Sequence, residues 1–284
     1  MKVAVIGMGN MGRALSERLL AADHAVQIWN RTPGKAADLI TRGATELSSP
    51  DDIDSDTEAV FICTADDRSV LDVAAPEGVA RAGWPHSIVA VTSTVSPQTL
   101  TQLRELYGDR LVAAPILGAP RAVASGEATF VIGGAAVALE ALSPVWQLFA
   151  GPFNAGTDPA RASVIKLLNN QLLMTGLAVV TETVRVARAA GIDDETLTTL
   201  LQNSAMMPAG LRNRIPSLFD PQHAGWFTTR LGAKDLGHFL GLAPENTPLP
   251  VTQAARDAYL SVADNGWDSA DITALVELDQ RPQA

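Results

Sequence analysis

The first half of the chain alternates short apolar runs with segments of helical periodicity. Apolar runs rich in β-branched residues predict strands over 3–6, 26–29, 60–64, 88–92, 111–114 and 129–132. The segments between them predict helices over 11–21, 34–42, 69–73, 97–107 and 136–149. This alternation predicts a parallel sheet with helices on both faces, and strands without polar residues are typical of a sheet buried on both sides.

Beyond Gly151 and Pro152 the pattern changes, because helical periodicity continues and no further strand is indicated. Proline and glycine punctuation separates predicted helices over 161–190, 194–202, 229–242, 250–265 and 271–279. A chain of 284 residues has room for two domains of ordinary size. We therefore predict an α/β fold, a doubly wound parallel sheet over 1–160 followed by an all-α domain over 161–284.

Composition and charge exclude several classes of protein. With 47% hydrophobic and 18% charged residues, the chain can bury a large core and is not disordered. Its net charge of −10 has the wrong sign for binding nucleic acid or an anionic membrane. The lone Cys63 excludes an internal disulfide, and four scattered histidines argue against a metal site. With no apparent signal peptide or membrane span, we expect a cytoplasmic protein.

A glycine-rich loop follows the first predicted strand and opens the first predicted helix. Gly7, Gly9 and Gly12 have the G-x-G-x-x-G spacing, with Asn10 and Met11 between the last two glycines. The first glycine permits a tight turn, the second lets a diphosphate approach the backbone, and the third lets helix and strand pack closely. The strand, loop, helix and second strand occur in the required order. We therefore predict dinucleotide binding by this loop.

The end of the second predicted strand indicates which dinucleotide is bound. Asn30 stands where an acidic residue would hold the ribose 2′-hydroxyl of NAD, and Arg31 and Thr32 follow it. A guanidinium and a hydroxyl can bind a 2′-phosphate, which a carboxylate would repel. We therefore expect NADP(H) as the cofactor.

The helix predicted over 161–190 carries three polar residues on one side. Lys166, Asn169 and Asn170 are spaced i, i+3 and i+4 among leucines. A lysine in apolar surroundings loses hydration, which lowers its pKa and lets it exchange a proton near neutral pH. Asn170 could hydrogen-bond the lysine or a substrate oxygen. A surface lysine beside a structural asparagine pair fits these residues equally well.

Several motifs together carry a family resemblance. In chain order they are Gly7–Gly12, Trp29-Asn30-Arg31-Thr32, Thr92-Ser93-Thr94-Val95-Ser96-Pro97, Lys166-Leu167-Leu168-Asn169-Asn170, Lys234-Asp235-Leu236 and Gly266-Trp267-Asp268-Ser269-Ala270-Asp271. With them the chain resembles the β-hydroxyacid dehydrogenases, a family of the 6-phosphogluconate dehydrogenase superfamily. That family includes 3-hydroxyisobutyrate dehydrogenases and glyoxylate or succinic-semialdehyde reductases.

The resemblance implies a Rossmann-like domain, a helical substrate and dimerisation domain, and a homodimer or homotetramer. It implies that Lys166 is the general acid/base and that Asn170 orients the substrate. Thr94 would contact both nicotinamide and substrate, while Thr64 and Lys234 would contact the cofactor. The reaction implied is hydride transfer between NADP(H) and the carbonyl or alcohol carbon of a small molecule.

The segment that should bind the substrate departs from the family pattern. Where the family reads Asp-Ala-Pro-Val-Ser-Gly-Gly, this chain reads Ala113-Ala114-Pro115-Ile116-Leu117-Gly118-Ala119. Leu117 replaces the serine hydroxyl that helps to hold a carboxylate, so the backbone near Gly118 and Ala119 would have to bind an acid without that help. The identity of the substrate therefore stays open.

Two other functions remain as alternatives. Imine reductases of the same superfamily share the Trp-Asn-Arg-Thr pattern and bind apolar imines, and Trp226, with Met206, Met207 and Phe227, could line such a cleft. Lys166 argues against imine reduction, because a cation beside an iminium ion would be repelled. A protein that binds NADP(H) as a sensor without catalysis is the second alternative.

Overall fold

A computed structural model of the chain describes residues 1–75 and 84–278. The fold comprises two compact units, one of Met1–Lys166 and one that begins at Leu167. The division between them falls within a long helix, six residues beyond the boundary expected from the sequence. Below, unit 1 means Met1–Lys166 and unit 2 means the described residues from Leu167 onward.

Unit 1 is built on a mostly parallel sheet. Its strands are β1 (Lys2–Ile6), β2 (Ala25–Trp29), β3 (Thr45–Glu46), β4 (Ala59–Ile62), β5 (Ile88–Val91), β6 (Leu111–Ala113), β7 (Ile116–Leu117), β8 (Thr129–Gly134) and β9 (Phe153–Gly156). They run in the order β3-β2-β1-β4-β5-β6-β8-β7, and β9 pairs with β8. Strands β3, β2, β1, β4, β5 and β6 are parallel to one another. The predicted α/β class is confirmed.

One edge of the sheet differs from a wholly parallel arrangement. Strand β8 runs antiparallel to β6 and to β7, and β9 then runs parallel to β8. The apolar run at 129–132 predicted a strand, but its direction depends on the reversal of the chain between β7 and β8. Strands β3 and β7 were not predicted, because two residues carry little periodicity, and β9 was not predicted because it contains no β-branched residue.

Helices cover the sheet in unit 1. They are α1 (Asn10–Ala21), α2 (Ala37–Thr41), α3 (Asp67–Ala74), α4 (Pro97–Tyr107), α5 (Pro120–Ser125), α6 (Ala136–Ala141) and α7 (Ser143–Trp146). The single helix predicted over 136–149 was wrong, since a separate helix begins at Ser143 with Pro144 in its first turn. Proline lacks the N–H that a continuous helix would need at this position.

The sheet separates two apolar clusters whose residues alternate along its central strands. On β1, Val3 and Val5 belong to one cluster, whereas Ala4 and Ile6 belong to the other. All four side chains are fully buried. The sheet is therefore covered on both faces, which explains why its strands lack the apolar and polar alternation of a half-exposed sheet.

Unit 2 is helical. Helix α8 (Pro159–Ala189) starts in unit 1, and unit 2 continues with α9 (Asp194–Asn203), α10 (Ala209–Arg212), α11 (Ile215–Leu218), α12 (Thr229–Leu240) and α13 (Pro250–Val262). The helix predicted over 250–265 is α-helical only to Val262, and a π-helical turn (Ala263–Trp267) follows. A 3-10 helix (Ile272–Glu277) occupies the described part of the segment predicted over 271–279, whose end at Asp279 lies outside the described residues.

The two faces of α8 differ in their surroundings within unit 2. Met174, Leu177 and Val184 are buried in the core of the unit, whereas Leu172 and Val179, on the opposite face, are exposed. By length and composition α8 could cross a membrane, a criterion that core helices of folded domains also meet. The helix predicted over 161–190 is therefore buried along one face, because a helix packs along a stripe of its surface.

Candidate nucleotide and catalytic site

Three of the predicted site residues follow neighbouring parallel strands. Gly7 follows β1, while Thr64 and Thr94 lie just beyond β4 and β5. Because β1, β4 and β5 are parallel, their carboxyl ends meet at one edge of the sheet. The chain passes from β1 to β2 on one side and β4 lies on the other, so this edge is the topological switch point at which Rossmann-like folds bind nucleotides.

The backbone geometry gives a separate reason for a glycine at each of the three positions of the loop. Gly7 has φ +96°, and a Cβ on it would lie 2.6 Å from the Cys63 carbonyl oxygen. A Cβ on Gly12 would lie 1.9 Å from the Gly7 carbonyl oxygen. A Cβ on Gly9, in contrast, would meet nothing within 4 Å. Gly7 and Gly12 therefore permit the tight packing of the loop, and Gly9 faces open space.

The amino end of α1 fits an anionic ligand. The helix starts at Asn10, and no side chain in the described ranges caps it or places a carboxylate in its first turn. The N–H groups of the first helical turn lack intrahelical acceptors, and the helix dipole adds positive potential there. Open space beside Gly9 and uncapped N–H groups are the features that a dinucleotide diphosphate requires.

Asn30 stabilises the glycine loop through side-chain hydrogen bonds. Its Oδ1 accepts a hydrogen bond from the Met8 N–H (3.0 Å), and its Nδ2 donates to the Thr32 carbonyl oxygen (2.8 Å). The side chain thus links the glycine loop to the segment after β2. Arg31 and Thr32 themselves are exposed. Asn30 therefore holds the glycine loop and the segment after β2 together, a role that the motif alone did not reveal.

Asp38 is the acidic residue nearest in sequence to the segment after β2, and an ion pair neutralises its charge. Arg13, on α1, donates to Asp38 Oδ2 (2.7 Å) and to the Lys35 carbonyl oxygen (2.7 Å). The Arg13 guanidinium holds the pKa of the Asp38 carboxyl below its usual value. Sequence reasoning missed this pair, whose members are 25 residues apart.

Cys63 lies beneath the glycine loop. Its carbonyl oxygen faces Gly7, its Cβ lies near Gly12, and its thiol shares a hydrogen bond with the Thr92 hydroxyl. Burial raises the pKa of the Cys63 thiol to about 12, and the hydrogen bond to Thr92 opposes this shift only in part. The nucleophilic thiolate is therefore scarce at neutral pH.

We expect Cys63 to resist alkylation in the folded protein. With the thiol pKa raised, about one thiol in ten thousand is ionised at pH 8, against about a quarter for an ordinary cysteine. Modification by iodoacetamide, followed by mass spectrometry, should be about a thousandfold slower than in denaturant and should keep rising through pH 10. A rate that levels off near pH 9 in the folded protein would contradict this burial.

The connection after β5 carries Thr94. Ser93 Oγ donates to the Ile62 carbonyl oxygen (3.2 Å) and accepts from the Thr64 N–H (2.9 Å). These bonds link the ends of β4 and β5, and they place Thr64 beside Gly7, whose Cβ would lie 3.2 Å from Thr64 Cγ2. Thr94 is half-buried next to this junction.

Lys166 is fixed over the segment that follows β6. Its Nζ donates to the Ile116 carbonyl oxygen at 2.7 Å. Ile116 and Leu117 form β7, and the Leu117 side chain packs against an apolar cluster of unit 1. Gly118 is exposed with φ +145°, and Ala119 precedes α5. The ammonium group of Lys166 therefore lies beside the segment that departs from the family pattern.

In unit 2, Asn170 belongs to a buried polar cluster. Its Nδ2 donates to Asp235 Oδ2 (2.7 Å), and Lys234 Nζ lies 3.0 Å from the other carboxylate oxygen of Asp235. Asn170 and Asp235 are 2% and 3% exposed. Asp235 was not predicted as a site residue, although it follows Lys234 in the motif Lys234-Asp235-Leu236. Lys166 and Asn170 lie four residues apart on α8.

Trp226, also in unit 2, lies against a buried ion pair. The Arg214 guanidinium lies 4.6 Å from the centre of its ring and donates to Asp271 Oδ1 at 2.6 Å. Trp226 is 37% exposed, so part of its ring is available for contact. Met207, offered above as a cleft residue, is instead buried in the core of the unit, while Met206 is exposed.

Two family models account for almost the whole chain. One, the NAD binding domain of 6-phosphogluconate dehydrogenase, matches residues 2–157. The other, described as NAD-binding of NADP-dependent 3-hydroxyisobutyrate dehydrogenase, matches residues 160–278. The chain belongs to the β-hydroxyacid dehydrogenase family. The resemblance inferred from the motifs is confirmed, and the chain's membership of this family makes its cofactor a nicotinamide dinucleotide.

Individual members of the β-hydroxyacid dehydrogenase family are distant in sequence. The uncharacterized oxidoreductase YfjR of Bacillus subtilis is 27% identical, and the match covers 98% of this chain and 99% of that protein. The mitochondrial 3-hydroxyisobutyrate dehydrogenase of Drosophila melanogaster is 23% identical, with coverage of 97% and 88%.

Solved structures show the same fold. A 3-hydroxyisobutyrate dehydrogenase from Salmonella typhimurium has a TM-score of 0.90 at 23% identity, covering 98% of this chain and 99% of its own. Psf3, in complex with NADP+ and 2-OPP, has a TM-score of 0.87 at 23% identity, with coverage of 96% and 98%. A Streptomyces aurantiacus imine reductase has a TM-score of 0.65 at 22% identity, with coverage of 99% and 100%.

Proposed function

We propose that the chain is an NADPH-dependent oxidoreductase that transfers hydride between NADP(H) and the carbonyl or alcohol carbon of a small substrate. Lys166 is the general acid/base, and Asn170 orients the substrate. The observation that carries the proposal is the ammonium of Lys166, fixed 2.7 Å from the Ile116 carbonyl oxygen. Ile116 follows β6, which is parallel to β5, so the carboxyl end of β6 lies at the same edge of the sheet as the glycine loop.

The chemistry requires a proton donor at the substrate oxygen. When bound, reduced nicotinamide supplies the hydride to the carbonyl carbon, and negative charge then develops on the oxygen. The Lys166 ammonium protonates that oxygen during reduction, and the neutral amine removes the proton during alcohol oxidation. Thr94 adds a hydroxyl near the reacting groups. Both residues belong to unit 1, which also carries the glycine loop.

The preference for NADPH rests on the segment after β2. Exposed Arg31 and Thr32 offer a guanidinium and a hydroxyl, and no carboxylate follows β2 directly. Asp38, the acidic side chain closest to them in the same segment, is neutralised by Arg13. A 2′-phosphate would therefore meet net positive charge.

Imine reduction is the second candidate function. Leu117 supports it, because its apolar side chain stands where the family has the serine that helps to bind a carboxylate, and the fold also matches an imine reductase. Against it stands Lys166, whose positive charge would repel an iminium ion. An imine reductase would have to keep that lysine neutral or remote from the substrate nitrogen.

A turnover screen separates these candidates. Consumption of NADPH is followed by the loss of its absorbance, with short aldehydes, β-keto acids and cyclic imines as substrates. Turnover of aldehydes or keto acids supports the proposal, and turnover confined to cyclic imines supports the second candidate. NADPH binding without turnover of any substrate would instead indicate a cofactor sensor.

We also propose that the protein is a homo-oligomer. Leu168, Leu172, Val179 and Val186 are 48%, 72%, 59% and 69% exposed, and they form a stripe on α8 opposite the core face. Their spacing of four and then seven residues is that of a helix that packs along a second helix. A second copy of the chain supplies the same stripe, so two copies can cover each other.

Disrupting the stripe should reduce the mass of the native protein. Leu172→Glu places a charge in the middle of the stripe, and we expect light scattering to show a monomer where the unaltered chain is a dimer or tetramer. Val137→Glu changes an apolar residue that is equally exposed in unit 1 and should leave the mass unchanged. A monomeric unaltered protein, or one that requires detergent, would contradict the proposal.

A further inference from the structure

Ser163 links the start of α8 to the connection between β5 and α4, the segment that carries Thr94. It lies on α8 three residues before Lys166 and is 2% exposed. Its hydroxyl donates a hydrogen bond to the Val95 carbonyl oxygen. Val95 is the immediate neighbour of Thr94, so this single bond links the backbone beside Thr94 to the helix that carries Lys166.

The connection itself is held at both ends by other elements. On one side, Ser93 Oγ bonds the Ile62 carbonyl oxygen at the end of β4 (3.2 Å). On the other side, Asp67 Oδ1, on α3, accepts from the Ser96 N–H (2.8 Å) and from the Ser96 hydroxyl (2.6 Å). These bonds fix the connection to the sheet and to α3, but they do not link it to α8.

The start of α8 is fixed to the sheet at close range. A Cβ on Gly133, in β8, would lie 2.9 Å from the Asp158 carbonyl oxygen and 3.2 Å from Ala162 Cβ. The missing side chain therefore lets the first turn of α8 rest directly on β8, and Ala162 is fully buried there. Because i and i+3 positions lie on the same side of a helix, Ser163 and Lys166 are held by one rigid support.

We infer that Ser163 is a positioning residue, whose bond to the Val95 carbonyl sets the placement of the Thr94 hydroxyl relative to the Lys166 ammonium. The inference rests on the proposed function, in which both groups act near one substrate oxygen. Misplacement by about 1 Å can reduce a rate a hundredfold, so one buried hydrogen bond at this point can matter for turnover. Alanine at 163 would leave the Val95 carbonyl without this donor.

The first test compares two matched substitutions. Ser163→Ala should lower kcat about 10- to 100-fold and change the KM for NADPH less than about twofold. Ser163→Thr keeps the hydroxyl and should restore most of the rate. Ser87→Ala is the control, because buried Ser87 makes the same kind of bond, to the Thr57 carbonyl oxygen (2.6 Å), before the start of β5. It should lower the thermal midpoint similarly without changing kcat.

A double-mutant cycle tests whether Ser163 acts through Thr94. In a Thr94→Ala background, Ser163→Ala should change kcat by less than about twofold, since the group that it positions is gone. Amide hydrogen exchange at Val95 and Ser96 should increase in Ser163→Ala and not in Ser87→Ala, a readout that needs no turnover.

Three results would overturn the inference: unchanged kcat in Ser163→Ala, an equal loss in Ser87→Ala, or the full loss retained in the Thr94→Ala background. Failure of the proposed function looks different, because Lys166→Ala would then keep its kcat. A lowered kcat in Lys166→Ala combined with an unchanged kcat in Ser163→Ala would reject the positioning role alone.

Discussion

Replacing Lys166 with alanine should lower kcat for carbonyl reduction by about 10²- to 10⁴-fold, the usual contribution of general acid–base assistance. The affinity for NADPH should stay nearly unchanged, because in the proposed function the glycine loop and the segment after β2 hold the cofactor. The physical reason is that the substrate oxygen would have to take its proton from water. Steady-state rates combined with NADPH binding by fluorescence measure both quantities.

Two further variants separate proton transfer from charge. Lys166→Arg keeps a cation that cannot give up its proton, so it should lose about as much activity as the alanine variant. Arg161→Ala removes an exposed cation from the same helix and should leave kcat unchanged. Near-normal kcat in Lys166→Ala on the best substrate would refute the dehydrogenase mechanism and favour imine reduction, where a preformed iminium ion needs no such acid.

Replacing Arg31 with alanine should weaken NADPH binding about 10- to 150-fold and leave NADH binding nearly unchanged. A charge-assisted hydrogen bond to the 2′-phosphate contributes about 1.5–3 kcal/mol, and NADH lacks that phosphate. Arg31 is exposed, so its loss should not disturb the core. Titration of each variant with both cofactors gives the two dissociation constants.

The control for Arg31 is an arginine of similar exposure elsewhere in unit 1. Arg42, at the end of α2, pairs with Glu17 at 3.7 Å, and Arg42→Ala should weaken neither cofactor by more than about twofold. Raising the salt concentration should narrow the difference between NADPH and NADH in the unaltered protein, because salt screens an exposed contact. An equal loss of both cofactors in Arg31→Ala would show that Arg31 does not bind the 2′-phosphate.

Periodicity predicted most of the long elements of the fold. Helix α4 (Pro97–Tyr107) has the predicted bounds, and β1 and β2 each differ by one residue at the start. These elements lie where apolar spacing and terminal signals agree, such as Ser96 capping α4 and Pro97 at its start. The segment over 136–149 shows the reverse, since its apolar spacing predicted one helix while Pro144 within it favours a break.

The role of the glycine loop could be predicted from the sequence because it depends only on residues close together in the chain. Gly7, Gly9 and Gly12 act through backbone geometry within six residues, and the strand and helix around them follow from periodicity. The candidate roles of Lys166 and Asn170 needed a family resemblance in addition. Their i, i+4 spacing places both on one side of a helix but does not determine what either side chain contacts.

Those contacts depend on residues distant in sequence. Lys166 bonds a carbonyl 50 residues away, Asn170 bonds Asp235 65 residues away, and Ser163 bonds Val95 68 residues away. Local pattern carries no information about such pairs, because they form only after strands and helices pack and bring their ends together. The sequence therefore established the class of fold and predicted the cofactor loop, whereas the tertiary structure determined the partners that hold the proposed catalytic groups in place.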